Sequence, residues 1–158
     1  MELTKRFSPD QFRSALESWA WLDLEGKTPV LATLFGDVFF EANGSYWFLD
    51  TVEGTLTAQW STGEMLQGEL NTEEGQDKYL LGGLAVEADR AGLTLGPDQV
   101  YDFKVPPILG GQFAVENILP MDFAVSLHIA GQLLRQVKSL PSGTKITGFT
   151  VDGKLTTE

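Results

Sequence analysis

The chain carries one histidine, His128, and no cysteine. A thiolate nucleophile, a cysteine zinc site and a disulfide framework are therefore excluded. His128 sits in an alternating apolar stretch, where a lone imidazole reads as structural rather than as a ligand or general base. The sequence has no Ser-His-Asp arrangement and no G-x-S-x-G elbow. Gly82-Gly83 and Gly110-Gly111 lack the strand-to-helix context of a phosphate cradle. The densest carboxylate group is Glu73-Glu74-Gly75-Gln76-Asp77. Calcium needs several such oxygens on one short loop. Acidic residues in a helix's first turn, however, complement its dipole by roughly 0.3–1 kcal/mol each, and that reading needs no metal. The residues thus point to no catalytic set, no cofactor and no metal.

Charge narrows the partner. The net charge is −11 over 158 residues. A nucleic-acid binder neutralises phosphates with Lys and Arg, and an anionic membrane surface asks the same; neither is expected. The acidity is uneven: residues 41–90 hold ten Asp/Glu against two Lys/Arg, whereas residues 101–158 hold five of each. The middle of the chain reads either as a solvated acidic surface or as a steering field for a basic partner. No apolar run approaches the ~20 residues that span a bilayer, and the first ten residues lack a signal peptide's apolar core. The expected location is cytoplasmic.

The elements that must position these groups follow from periodicity and caps. The length suits one domain, residues 1–158, burying roughly two-thirds of its unfolded surface. Ser8-Pro9-Asp10-Gln11 is a capping-box start, and Phe12, Ala15, Leu16, Trp19 and Ala20 follow at helical spacing, predicting a helix to about Trp21. Residues 29–35, 38–42, 46–50 and 55–60 read as four strands of an antiparallel meander. Asn43-Gly44 is its strongest hairpin signal, and one face is expected to be buried with the other exposed. Ser61 or Thr62 caps a short helix to Leu70. Thr72 caps a second that ends at Gly92, with an apolar stripe at Leu80, Leu81, Leu84, Ala85 and Ala88. Residues 95–112, punctuated by Gly96, Pro97, Pro106, Pro107, Gly110 and Gly111, read as an ordered loop. Residues 123–130 alternate and read as a strand, residues 131–139 as a helix, and residues 145–151 as a last strand. The fold class is α+β: N-terminal helix, antiparallel β-meander, central helices, ordered Pro/Gly-rich loop, then a strand and a C-terminal helix.

Gln132 and Gln136, four apart beside Arg135, form either a solvated helix edge or a polar network that ties the loop to Lys104 or Asn117. Trp47 and Trp60 read as core aromatics or as anchors of a contact.

Three segments together carry a resemblance: LFGDVFFEANGSYWFLDTVEGTL, LGPDQVYDFKVPPILGGQFAVENI and DFAVSLHIAGQLLRQVKSLPSGTKI. The chain resembles the type VI secretion immunity proteins related to the immunity partner of a bacterial DNase toxin, over roughly residues 30–148. The most specific part runs from Tyr101 and Lys104 through Pro106, Pro107, Gly110 and Gly111 to Asn117, with Gln132 and Gln136 beyond it. The resemblance implies a cytoplasmic, non-enzymatic inhibitor that binds a cognate toxin, here expected to be a nuclease, and occludes its active site. Many relatives carry an additional N-terminal domain, for which this chain is too short. Within the acidic segment, Glu64, Glu69, Glu73, Glu74 and Asp77 are the candidate contacts. Glu69, Glu73 and Asp77 would align if the two central helices were one. The alternative reading is a small carboxylate-dependent hydrolase or sugar-binding module using Trp47 and Trp60 as exposed platforms.

Overall fold

The computed structural model describes residues 1–150 and 154–158. Its order begins with β1 (Thr4–Lys5) and α1 (Pro9–Leu16), followed by a 3-10 turn at Glu17–Trp19. The meander is β2 (Thr28–Thr33), β3 (Val38–Ala42), β4 (Ser45–Asp50) and β5 (Thr55–Trp60). Then come α2 (Gly63–Leu70), α3 (Glu73–Leu80) and α4 (Gly82–Arg90). The ribbon β6 (Gln99–Phe103) and β7 (Ile118–Asp122) leads into α5 (Phe123–Ser139), and β8 (Ile146–Phe149) pairs with β9 (Leu155–Thr157).

The five-stranded sheet runs β1-β2-β3-β4-β5, each neighbour antiparallel. Asn43 and Gly44 both have positive φ, as the tight β3–β4 turn requires. β1 was not foreseen; two residues carry too little pattern to read. The expected half-exposed sheet is corrected at its centre: over β3 and β4 both faces are covered, while β5 and the start of β2 stay partly exposed. Val38-Phe39-Phe40 is a continuous apolar run rather than an alternation, and such strands are buried on both sides. Val38, Phe40 and Leu49 pack with α1 and α5, through Phe12, Ala15, Trp19, Phe123, Leu127, Leu133 and Leu134. Phe39, Phe48 and Trp60 face the other way, onto Leu66, Tyr79 and Leu80 of α2 and α3. Trp60 is therefore core and not an exposed platform. Trp47 is half-buried, with the Lys27 ammonium 4.3 Å from its ring centroid.

Three other expectations change. Residues 123–130 are the first half of α5, not a strand. Asp122 caps the helix by accepting from Val125 N (3.0 Å), and the buried positions Phe123, Ser126, Leu127, Gly131 and Leu134 recur at helical spacing. Val125, counted in the alternation, is 47% exposed. Gly131 lets α5 cross the chain at Ser18, where a Cβ would overlap the Ser18 hydroxyl, and Trp19 Nε1 donates to Leu127 O at 2.9 Å. The second central helix divides at Leu81, whose φ of 50° ends α3 and starts α4. Residues 99–103, expected within a loop, pair with β7 with Tyr101 opposite Pro120. The N-terminal helix ends its regular turns at Leu16. The strand expected at residues 145–151 is β8, its Val151 lies outside the described residues, and β9 follows it unforeseen.

Candidate functional site

Two regions gather the candidate residues: the acidic helices α2–α4 and the loop between β6 and β7.

On the helices, Thr62 caps α2 by accepting from Met65 N, and Thr72 caps α3 by accepting from Gly75 N. Glu64 lies exposed in the first turn of α2, and Glu73 and Glu74 lie exposed in the first turn of α3. The single-helix alignment of Glu69, Glu73 and Asp77 does not form. Thr72 Oγ1 donates to Glu69 O (2.7 Å), turning the chain between α2 and α3, and Gly75 lies where a Cβ would overlap that carbonyl. Glu69 is partly buried and takes a hydrogen bond from the Tyr79 hydroxyl; burial first, and then this carboxylate, push the Tyr79 pKa upward. Asp77 is exposed, but its Oδ1 accepts from Gly83 N at 3.1 Å, tying the start of α4 to α3. Glu64, Glu73 and Glu74 are thus the exposed candidates whose side chains take no hydrogen bond or ion pair among the described residues, and Glu87 and Asp89 of α4 are also exposed.

The loop is held from within. Asn117 Nδ2 donates to Val105 O and Gln112 O, and its Oδ1 accepts from Val105 N, all at 2.9 Å. Lys104 N donates to Asn117 O (2.7 Å). Pro106 O accepts from Leu109 N and Gly111 N, and Pro107 O from Gly110 N, closing a 3-10 turn at Pro107–Leu109. Gly110 has φ +97°, and at Gly111 a Cβ would overlap Val105 O, so both positions require glycine. Tyr101 is buried; its hydroxyl donates to Leu93 O and its N to Leu34 O, each at 2.7 Å, and burial raises its pKa. The expected polar network is thus centred on Asn117. The Lys104 side chain is exposed. Gln132 pairs with His128 (3.2 Å), and Gln136 donates to Gln132 O and accepts from Leu155 N. Gln136 thus ties α5 to β9, whereas Gln132 bonds within α5. The loop's apolar residues are not all covered: Val105 is 48% and Phe113 53% exposed.

Sequence reasoning missed two features. A cavity of about 450 Å³ lies between this loop, α5 and the β4–β5 turn, lined by Phe103, Pro107, Ile108, Met121 and Ile129 with Asp102 and Ser126. Its walls come from segments distant in sequence, so no local pattern announces it. The second is Asp37, fully buried beneath the β2–β3 turn, whose carboxyl is pushed up to about 7, by burial first and then by the charge of Asp50. The only sequence signal was an acid directly before an apolar run.

Among the described residues, no group of three or more His, Cys, Asp or Glu could hold a metal ion, and no helix is long and apolar enough to cross a membrane. No curated protein matches the chain. A crystal structure of Atu4351 from Agrobacterium tumefaciens is similar in fold: TM-score 0.52 at 18% identity, over 98% of this chain and 75% of that one. The family model "T6SS immunity protein Tdi1, C-terminal" matches residues 64–134, a narrower span than the resemblance in the sequence. That span contains the acidic helices, the clamped loop, the β6–β7 ribbon and most of α5. Over residues 64–134 the chain is thus similar to the C-terminal domain of the type VI secretion immunity protein Tdi1, and the match supports a type VI secretion immunity protein family.

Proposed function

We propose that this protein binds a cognate antibacterial toxin in the cytoplasm of the cell that makes both, and neutralises it by occluding its active site without catalysing a reaction. The toxin is a nuclease in this reading. The observation that carries it is the family match over residues 64–134, the span that also holds Glu64, Glu73 and Glu74 on exposed helix starts. A nuclease must present a positive cleft to its phosphate substrate. An inhibitor of the opposite field gains encounter rate and competes with the nucleic acid for that cleft. The net −8 of residues 41–90 supplies such a field.

The test is co-expression of the chain with the product of a candidate toxin gene sought next to its own. The expected result is survival of the host, a stable complex on size exclusion, and loss of DNA cleavage in the purified complex. Survival without any complex, or a complex that still cleaves DNA at full rate, refutes the mechanism.

A further inference from the structure

The cavity between the loop and α5 sets a carboxylate among largely apolar walls. Its walls are largely apolar: Phe103, Pro107, Ile108, Met121 and Ile129. At about 450 Å³ it falls within the range of small-ligand sites, roughly 300–1,000 Å³. Among the described residues one carboxylate lines it, that of Asp102. Its Oδ1 accepts from Phe103 N at 3.0 Å, and the Ser126 hydroxyl donates to it. No described cation lies within salt-bridge distance of Asp102, Lys104 included, although Lys104 also lines the cavity.

A charge placed among apolar walls is costly unless it is paired. Two neutral donors answer part of the Asp102 charge and leave the remainder facing an apolar space. We propose that this cavity binds an ammonium or guanidinium group carried on an apolar stem, the cation meeting Asp102 and the stem packing on Phe103, Ile108 and Ile129. Burial already holds the Asp102 carboxyl above the usual carboxylate range, so an incoming cation would relieve an existing penalty. The same chemistry is offered by a free organic amine and by a lysine or arginine side chain of a bound protein. The site stands on the cavity alone, independently of the toxin reading.

The probe is phenethylamine, with phenethyl alcohol as its neutral counterpart, titrated into the full chain while the methyl signals of Ile108, Met121 and Ile129 are followed by NMR. The expected result is saturable shifts of these methyls, with the amine binding about tenfold tighter than the alcohol. Asp102→Asn keeps an acceptor for Phe103 N and should bring the amine down to the alcohol's affinity. Ala130→Phe, which fills the cavity from α5, should remove binding of both. Benzoyl-arginine amide separates the sources. Displacement of the amine assigns the site to a protein's basic side chain, and failure to displace assigns it to free amines; both outcomes keep a cation site. Equal affinity for amine and alcohol, shifts confined to residues away from the cavity, or unchanged wild-type methyls would overturn the proposal without touching the toxin reading.

Discussion

Asp37 and Thr51, fourteen residues apart, are joined twice: Asp37 Oδ1 accepts from Thr51 N at 2.8 Å and from Thr51 Oγ1 at 2.7 Å. The other oxygen, Oδ2, accepts from the Thr33 hydroxyl at 3.1 Å, while Asp37 O accepts from Thr33 N. One buried carboxylate therefore fastens the β2–β3 turn to the end of β4. Three donors do not offset its burial and the nearby Asp50 charge, and its pKa rises from 3.8 to about 7.

This sets a pH dependence. Because the folded-state value is raised, the folded protein holds the proton more tightly than the unfolded chain. The corresponding stability is fully present below pH 3.8 and is lost as pH rises through about 7. At 1.36 kcal/mol per pH unit, the loss is on the order of 4 kcal/mol. Urea denaturation at pH 5 and pH 8 should show the wild type weaker at the higher pH. Asp37→Asn should flatten that difference, since its amide stays neutral at both pH values, like the protonated carboxyl it replaces. An equally steep pH slope in the variant would remove Asp37 as the source.

Asn117→Ala deletes all three side-chain hydrogen bonds that close the loop on Val105 and Gln112. The expected cost is about 1–3 kcal/mol, with amide exchange accelerating at Val105 while Tyr101, tied to Leu34, stays protected. Retained protection at Val105 would mean that the Pro107–Leu109 turn alone holds the loop.

What the sequence discloses and what it withholds divide along one physical line. Caps, hairpin turns and breakers act over a few residues, so Ser8, Asn43-Gly44, Thr62 and Thr72 were legible and mark real boundaries. Residues 123–130 were misread because Phe123, Val125, Leu127 and Ile129 satisfy a period of two while Phe123, Ser126, Leu127 and Ala130 satisfy a helical one; the Asp122 cap and the covered Ser126 decide for the helix. The β6–β7 ribbon was hidden by the prolines around it. The loop motif could be picked out, Asn117 included, but not the bonds that make Asn117 its centre, which reach twelve residues back to Val105. Asp102 became a candidate only once the fold carried Ser126 to it.

Gly75→Ala tests the turn between the acidic helices. A Cβ there would overlap the Glu69 carbonyl oxygen, a backbone atom that cannot rotate away. Pushing α3 off α2 should cost about 1–3 kcal/mol and loosen the Trp60–Tyr79 contact, now at 5.1 Å between ring centroids. A lowered Tm together with a red-shifted tryptophan emission is the expected reading. An unchanged Tm would show that the α2–α3 turn has room the geometry does not display.

The acidic helices offer the direct test of partner binding. Glu64, Glu73 and Glu74 are exposed at helix starts, so reversing them leaves the core intact, apart from the lost dipole complement of roughly 0.3–1 kcal/mol each. Glu69 and Asp77 are poorer probes, since each carries a hydrogen bond of the fold, to Tyr79 and Gly83. The triple variant Glu64→Lys, Glu73→Lys, Glu74→Lys changes the local charge by six. If this face steers a basic toxin, the association rate should fall by about tenfold or more at low salt, since steering raises rates by roughly 10–1,000-fold. Its dependence on ionic strength should flatten, because screening acts on the field that has been removed. Dissociation should change less than association, as rim charges govern encounter more than residence. Stopped-flow binding across a salt series, with circular dichroism as the check on folding, separates these quantities. A folded variant with wild-type association kinetics would move the contact away from the starts of α2 and α3.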